Sequence, residues 1–251
     1  MSWPYFISTR GISVGANESK NSLPLPSARF PVLIQEIGAE AAPTGRHTFN
    51  LESERRREYL FSTEIRDDLI LPASGRRPFR LFGAGFLLEA EDTLVVWQSD
   101  LSTNANTTRQ FIKGIMLDLD VNGKPIGPDG VDLRRQHDSY WSGSMSVSAS
   151  AAEEAFAEVS DRDFIARSVT LIATGDLDLQ IRSRKRNEFL WATGLRLRSI
   201  APANTSQRNY MINPGFLFPS NDTMEFFVID RTGSTNTVLV AVHGELQLET
   251  I

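Results

Sequence analysis

The 251-residue chain has no cysteine, which removes disulfides, thiolate metal sites and cysteine nucleophiles in one stroke. Histidine is almost missing as well: His47, His137 and His243 stand alone, far apart in the sequence. Positive charge is not in excess. With a net charge of −5 the chain offers no broad basic surface, and nucleic acid is not expected as its main partner. No apolar run approaches the roughly 18 residues of a membrane span. Met1-Ser2-Trp3-Pro4-Tyr5 lacks a basic stretch followed by an apolar one. The expectation is therefore synthesis in the cytoplasm without an anchor, so that sequons such as Asn106-Thr107-Thr108 have no glycosylation meaning. Nucleophile elbows, Walker loops and dinucleotide fingerprints are also lacking.

What is present is a duplication. Sliding the chain by 130 positions aligns residues 55–114 with 185–244 without a gap, with 17 identical pairs in 60 positions. Ordinary residue usage would give about 4. The pairs include Arg56/Arg186, Glu58/Glu188, Gly85/Gly215, Asp92/Asp222, Asp100/Asp230 and Gly114/Gly244. Upstream, Arg29–Ile34 resembles Arg167–Ile172 at a shift of 138. These matches place a first unit at 29–124 and a second at 167–251.

The matched features belong to strands and turns. Tyr59 and Phe61, like Phe189 and Trp191, sit in short aromatic and Thr-bearing runs. Leu239–Val242 is a continuous apolar run, after which Leu246 and Leu248 alternate with Glu245, Gln247 and Glu249, as a half-buried strand does. Short strands punctuated by Gly, Pro and Asn predict an all-β chain of two tandem jelly-roll-like sandwiches. Residues 1–28, rich in Ser, Asn, Gly and Pro, read as an extended arm. Residues 125–166 read as a linker with one short helix, opened by the capping box Ser150-Ala151-Ala152-Glu153 and running to about Asp161.

Candidate sites are few. Asp118, Asp120, Asn122 and Asp129 fall at positions one, three, five and twelve of a calcium-loop spacing, with Gly123 at six. Asn122-Gly123 is also a strong hairpin signal, Pro125 and Pro128 interrupt the loop, and a plain hairpin is the stronger reading. A cupin metal centre needs a close His pair, a Glu and a later His, and the three isolated histidines read as surface or strand-end residues. Asp67-Asp68 is a carboxylate pair of a kind too common to signal hydrolysis. Arg55-Arg56-Arg57 and Arg184-Lys185-Arg186 occupy matching places and read as strand-edge or inter-unit groups. The polar tips Ser102–Asn106 and Thr232–Asn236 read as solvated turns, and Trp97 and Trp191, matched to Phe227 and Phe61, as core positions.

Two jelly rolls in one chain, a polar N-terminal arm, no cysteine and no active site resemble the double jelly-roll capsid proteins of tailless bacterial viruses. The resemblance covers about 29–251 and is one of organisation, not of motif. It implies a non-enzymatic virion protein that is made in the host cytoplasm and assembles with itself. In that family three chains form a pseudo-hexagonal capsomer, so the implied oligomer is a trimer that also meets other virion proteins. Duplication suits this, because three chains then present six similar faces. Phage decoration, collar and tail proteins share the organisation. The alternative is a carbohydrate or cell-surface binding module that uses the loop tips of the sandwiches.

Overall fold

The computed structural model describes residues 3–8, 12–14, 19–21, 29–41, 47–70, 78–101, 106–197 and 207–248. The chain divides into two compact units: one runs to Asp138 and includes Leu248, the other spans Ser139–Gln247.

The first unit contains β1 (Trp3–Ser8), β2 (Ile12–Val14), β3 (Ser19–Asn21), β4 (Val32–Ala41), β5 (His47–Ser53), β6 (Glu58–Tyr59) and β7 (Ile65–Arg66). A single helical turn, α1 (Asp67–Ile70), precedes β8 (Phe79–Arg80), β9 (Phe86–Leu88), β10 (Leu94–Asp100) and β11 (Asn106–Met116). One sheet has the order β1-β11-β4-β8, with β2 on β11 and β9 on β4. The other has the order β3-β10-β5-β6, with β7 on β5.

A long strand, β12 (Arg135–Val147), leads into the second unit. It is followed by β13 (Ala152–Glu158), β14 (Phe164–Ala173), β15 (Leu177–Ser183), β16 (Glu188–Phe189), β17 (Leu195–Arg196), β18 (Gln207–Phe218), β19 (Thr223–Asp230) and β20 (Asn236–Gln247). Its sheets are β12-β20-β14-β18 and β13-β19-β15-β16, with β17 on β15. The wiring repeats that of the first unit strand for strand: β1 corresponds to β12, β3 to β13, β4 to β14, β5 to β15, β10 to β19 and β11 to β20. In each, the first strand (β1 or β12) lies beside the last, and β3 or β13 lies beside the last but one. That nesting of hairpins is the jelly roll. The all-β, tandem-sandwich expectation is met.

Side-chain periodicity explains the sheets. In β15 the buried positions are Leu177, Leu179, Ile181 and Ser183, every second residue, as period-two geometry requires. Leu177, Leu179 and Ile181 join Met224, Phe226 and Val228 of β19 and Val238, Val240 and Val242 of β20, across the sandwich, in one apolar cluster.

A bulge fixes the partner sheet in both units. The register of β4 against β11 shifts between Lys113 and Gly114, and that of β14 against β20 shifts between Ala166 and Ser168. At the bulge the backbones nearly touch. A Cβ on Gly114 would lie 2.2 Å from the Leu33 carbonyl oxygen, and one on Gly244 would lie 2.1 Å from that of Ile165. Both glycines are therefore demanded by backbone, not by side-chain, contact. The same registers pair Gly114 with Ile34 and Gly244 with Ala166. Upstream of the gap the copies thus correspond at a shift of 132, six residues from the 138 that sequence similarity suggests.

Two further expectations are corrected. Residues 3–8, 12–14 and 19–21 are not a free arm. They pair as β1 and β2 with β11 and as β3 with β10, supplying the strands that β12 and β13 supply in the second unit. The helix expected from Ser150 to about Asp161 is strand β13, paired along its length with β19. Ser150 takes a positive φ of 56°, and its amide donates to the Asp230 carboxylate (2.9 Å) instead of starting a helix. An open edge on β19 outweighs the helical preference of Ala and Glu. Among the described residues the short helix is α1, inside the first unit rather than in a linker.

Candidate functional site

The most detailed shared feature is a corner present in both units. Where β5 ends, the buried Asp92 accepts the Ser53 hydroxyl and the amides of Arg55 (2.9 Å) and Thr93 (2.7 Å). Arg56 donates its amide to Ser53 Oγ (3.2 Å) and its guanidinium to the Leu87 carbonyl (2.8 Å) and to Glu58. At the end of β15, Asp222 accepts Ser183, Lys185 (2.8 Å) and Thr223 (2.7 Å), while Arg186 reaches Ser183, the Leu217 carbonyl (3.0 Å) and Glu188. Arg57 and Asn187 hold matching positive φ values of 54° and 53°. The basic runs thus contribute to turn locks within each unit, with Arg56 and Arg186 committed to carbonyls. Chemically the corner is closed: its donors and acceptors answer one another.

The candidate calcium residues do not converge. Asp120 Oδ1 accepts the amides of Asn122 and Lys124, both at 2.8 Å, and these bonds hold its carboxyl below the usual range. The Gly123 amide donates to the Asp120 carbonyl (3.0 Å), and Leu119 bridges to Pro125, as in a hairpin. The Asp118 carbonyl accepts the Ile126 amide (2.9 Å), a further rung of the same hairpin, and Asp129 follows it beyond Pro128. Among the described residues, no three His, Asp or Glu side chains gather in a group able to hold a metal ion.

The histidines are buried, contrary to the surface reading. The His47 ring lies between two buried carboxylates, with Nε2 at 3.5 Å from Asp100 and Nδ1 at 4.0 Å from Asp67. Burial lowers its pKa, and the Asp100 charge opposes that shift. The second unit keeps Asp230 at the Asp100 position but has Leu177 and Leu197 in place of His47 and Asp67. His137 accepts the Phe82 amide at Nδ1 (2.9 Å) among the rings of Phe61, Phe79 and Phe82. His243 Nδ1 lies 2.6 Å from Ser139 Oγ. Asp67 and Asp68 part company, the second pairing with Arg66. Each imidazole thus meets polar atoms inside the fold, His137 and His243 through hydrogen bonds and His47 through its flanking carboxylates.

The tip at Thr232–Asn236 is gathered around Asp230. That carboxylate accepts the amides of Ser150 (2.9 Å) and Gly233 (2.9 Å), the Thr232 hydroxyl (2.8 Å) and the Asn236 side-chain amide (2.5 Å). These donors, the Ser150 amide foremost, hold its carboxyl far below the usual carboxylate range. Residues 102–105 of the matching tip lie outside the described residues. Polar side chains at the second tip are thereby spent on the loop itself.

The copies diverge on the outward faces of the sheets that contain β5 and β10 in the first unit and β15 and β19 in the second. In the first unit Trp97 Nε1 donates to Glu52 Oε2 (2.6 Å), and Glu52 lies opposite Tyr59 in the register. The Tyr59 phenol is raised by burial and then by the Glu52 charge. In the second unit Arg182 stands between the rings of Phe189 (5.4 Å) and Phe227 (5.0 Å) and pairs with Glu225 (2.5 Å). Trp97 is thus a half-buried face residue and not core, whereas Trp191 packs against the second core with its ring on Tyr210. Alignment of Trp97 with Phe227 was the available signal, since both lie on an outward face.

No protein-family model matches the chain, and no curated protein matches its sequence. Solved structures do share its fold. A protein of the Sulfolobus turreted icosahedral virus superposes with a TM-score of 0.52 and 12% identity, covering 98% of this chain and 91% of that one. The major capsid protein P2 of bacteriophage PM2 gives 0.51 and 10%, covering 97% and 98%. PNGase F, a glycosylasparaginase from Flavobacterium meningosepticum, reaches 0.43 and 9%, covering 98% and 96%. At these identities the first two matches show likeness of fold alone, two tandem jelly rolls in one chain.

Proposed function

We propose that this chain is a virion structural protein, the double jelly-roll coat subunit of a bacteriophage, which assembles with copies of itself and with other virion proteins. The observation that carries the reading is whole-length agreement of architecture. Two units wired alike account for nearly the entire chain, and nearly the entire length of the PM2 major capsid protein is matched in turn. Fold alone does not fix function. The disposition of polar groups adds independent support. Buried histidines, locked aspartates and closed corners stiffen each unit, and the exposed Phe156 (53%), Phe189 (41%) and Ile229 (37%) offer apolar area for contacts between chains. A trimer is the assembly unit in this reading, because three duplicated chains close a ring of six similar faces.

The glycan-binding alternative draws no support from the second loop tip, whose polar groups bind each other. Electron microscopy of the purified protein, concentrated stepwise, tests the proposal. Ring-shaped capsomers or closed shells are expected. Single-chain particles at every concentration, together with binding on a glycan array, would transfer the assignment to the alternative.

A further inference from the structure

The two copies carry opposite charge at one duplicated place. The end of β5 reads Glu52-Ser53-Glu54, and the end of β15, in the same position of the second unit, reads Arg182-Ser183-Arg184. The serine between them is the one locked by Asp92 or Asp222, so both charged pairs leave equivalent corners with equivalent geometry. The aromatic rings beside them keep their class: Tyr59 and Trp97 in one unit, Phe189 and Phe227 in the other.

Both arginines of the second unit's pair face one buried carboxylate, that of Glu225 (Arg182 at 2.5 Å, Arg184 at 3.6 Å), so the pair keeps a surplus positive charge. Glu52 is held by an indole N–H, whereas Arg182 is held by two ring faces and by Glu225, which stands where the first unit has Val95. Each unit has therefore built a different support for a charge of opposite sign. Tyr59 is 47% exposed and Phe189 41%, and the side chain of Arg184 is 68% exposed, so both patches lie open.

We infer that the Glu52/Glu54 patch of one copy docks on the Arg182/Arg184 patch of a second copy, aromatic ring against aromatic ring. The contact joins the first unit of one chain to the second unit of another about a pseudo-two-fold axis. Charge complementarity selects this pairing over like with like, since two acidic or two basic patches would repel. The inference rests on the coat-protein reading and names one of its interfaces.

Two variants test it: Glu52→Arg/Glu54→Arg, whose patches are both basic, and Arg182→Glu/Arg184→Glu, whose patches are both acidic. Each is followed by sedimentation velocity alone and in equimolar mixture, with circular dichroism to verify folding. Alone, each should associate on the order of tenfold more weakly than the parent chain. Mixed, they should recover association, because the basic patches of one variant meet the acidic patches of the other. Recovery on mixing requires contact between chains, and a contact within one chain would not yield it. If the doubly changed chains fold poorly, the exposed single changes Glu54→Arg and Arg184→Glu replace them, with the same pattern in weaker form. A parent chain that assembles while the variants do so equally well, or variants that stay apart when mixed, overturns the patch pairing and leaves the coat reading intact. A parent chain that never assembles overturns both.

Discussion

Replacing Asp222 with Ala removes the centre of the second corner, and the cost follows from its hydrogen bonds. The carboxylate is 1% exposed and accepts three donors: the Ser183 hydroxyl and the amides of Lys185 and Thr223. A hydrogen bond to a charged group contributes about 1.5–3 kcal/mol, and a buried donor left without a partner loses its desolvation cost as well. The Lys185 amide is only partly buried, so water recovers some of its share. The sum is roughly 3–5 kcal/mol, within the range for breaking a buried network. For a unit of this size about 4 °C is lost per kcal/mol, so the melting temperature should fall by roughly 12 °C or more. Differential scanning calorimetry reads this directly. Asp222→Asn keeps the shape and one acceptor and should lose about half as much. Asp92→Ala, with the same partners in the first unit, should lose a similar amount. A loss below about 1 kcal/mol for both alanine variants would refute the view that the duplicated corner holds the sandwiches together.

Other outcomes follow from the same geometry. Gly114→Ala and Gly244→Ala each drive a Cβ into a backbone carbonyl and should cost at least about 2 kcal/mol in urea unfolding; wild-type midpoints would remove the close-approach argument. His47→Leu/Asp67→Leu copies the second unit. His47 has a lowered folded pKa, so protons prefer the unfolded chain, and stability falls as pH drops below about 6.5. The double variant should lose that dependence between pH 7 and 5 and be unchanged, or stabilised by about 1–4 kcal/mol, at neutral pH. A steeper acid loss than in the parent chain would contradict this. Asp230 has a depressed pKa, so its contribution is full above about pH 4 and fades as pH falls through its folded value. Melting curves of parent and Asp230→Asn should therefore converge below pH 4, and a constant gap down to pH 2 would count against the loop network.

The duplication was legible because its identities fall where geometry allows little substitution. Asp92/Asp222 and Arg56/Arg186 close the corner, and Gly114/Gly244 occupy the bulge. Strand class was legible in β15 and β20, where apolar residues alternate or run together in step with the pleat. The first three strands were obscured because Gly, Ser and Asn in the intervening segments dominated the composition of 1–28. Trp3-Pro4-Tyr5-Phe6-Ile7 nevertheless carried the aromatic content of a strand. Strand β13 was hidden for another reason. Ala and Glu favour helix locally, yet its positions alternate between exposed and half-buried along β19, and only the tertiary edge decides between the two. At Asp118–Asp129 the hairpin signal of Asn122-Gly123 was the legible one, because Asp120 accepts the amides of its own turn, and spacing along a chain does not by itself bring carboxylates together. The buried histidines could not be seen, since their partners Asp67, Asp100, Phe82 and Ser139 are remote in sequence or on other strands. The charge exchange at Glu52 and Arg182 was readable from the alignment, but its meaning depends on both residues facing outward.

Sedimentation equilibrium across a wide concentration range tests assembly most directly. The coat-protein account predicts a mass near three times the 28.0 kDa of one chain, growing to larger closed particles as concentration rises. A mass that stays at one chain throughout would contradict it.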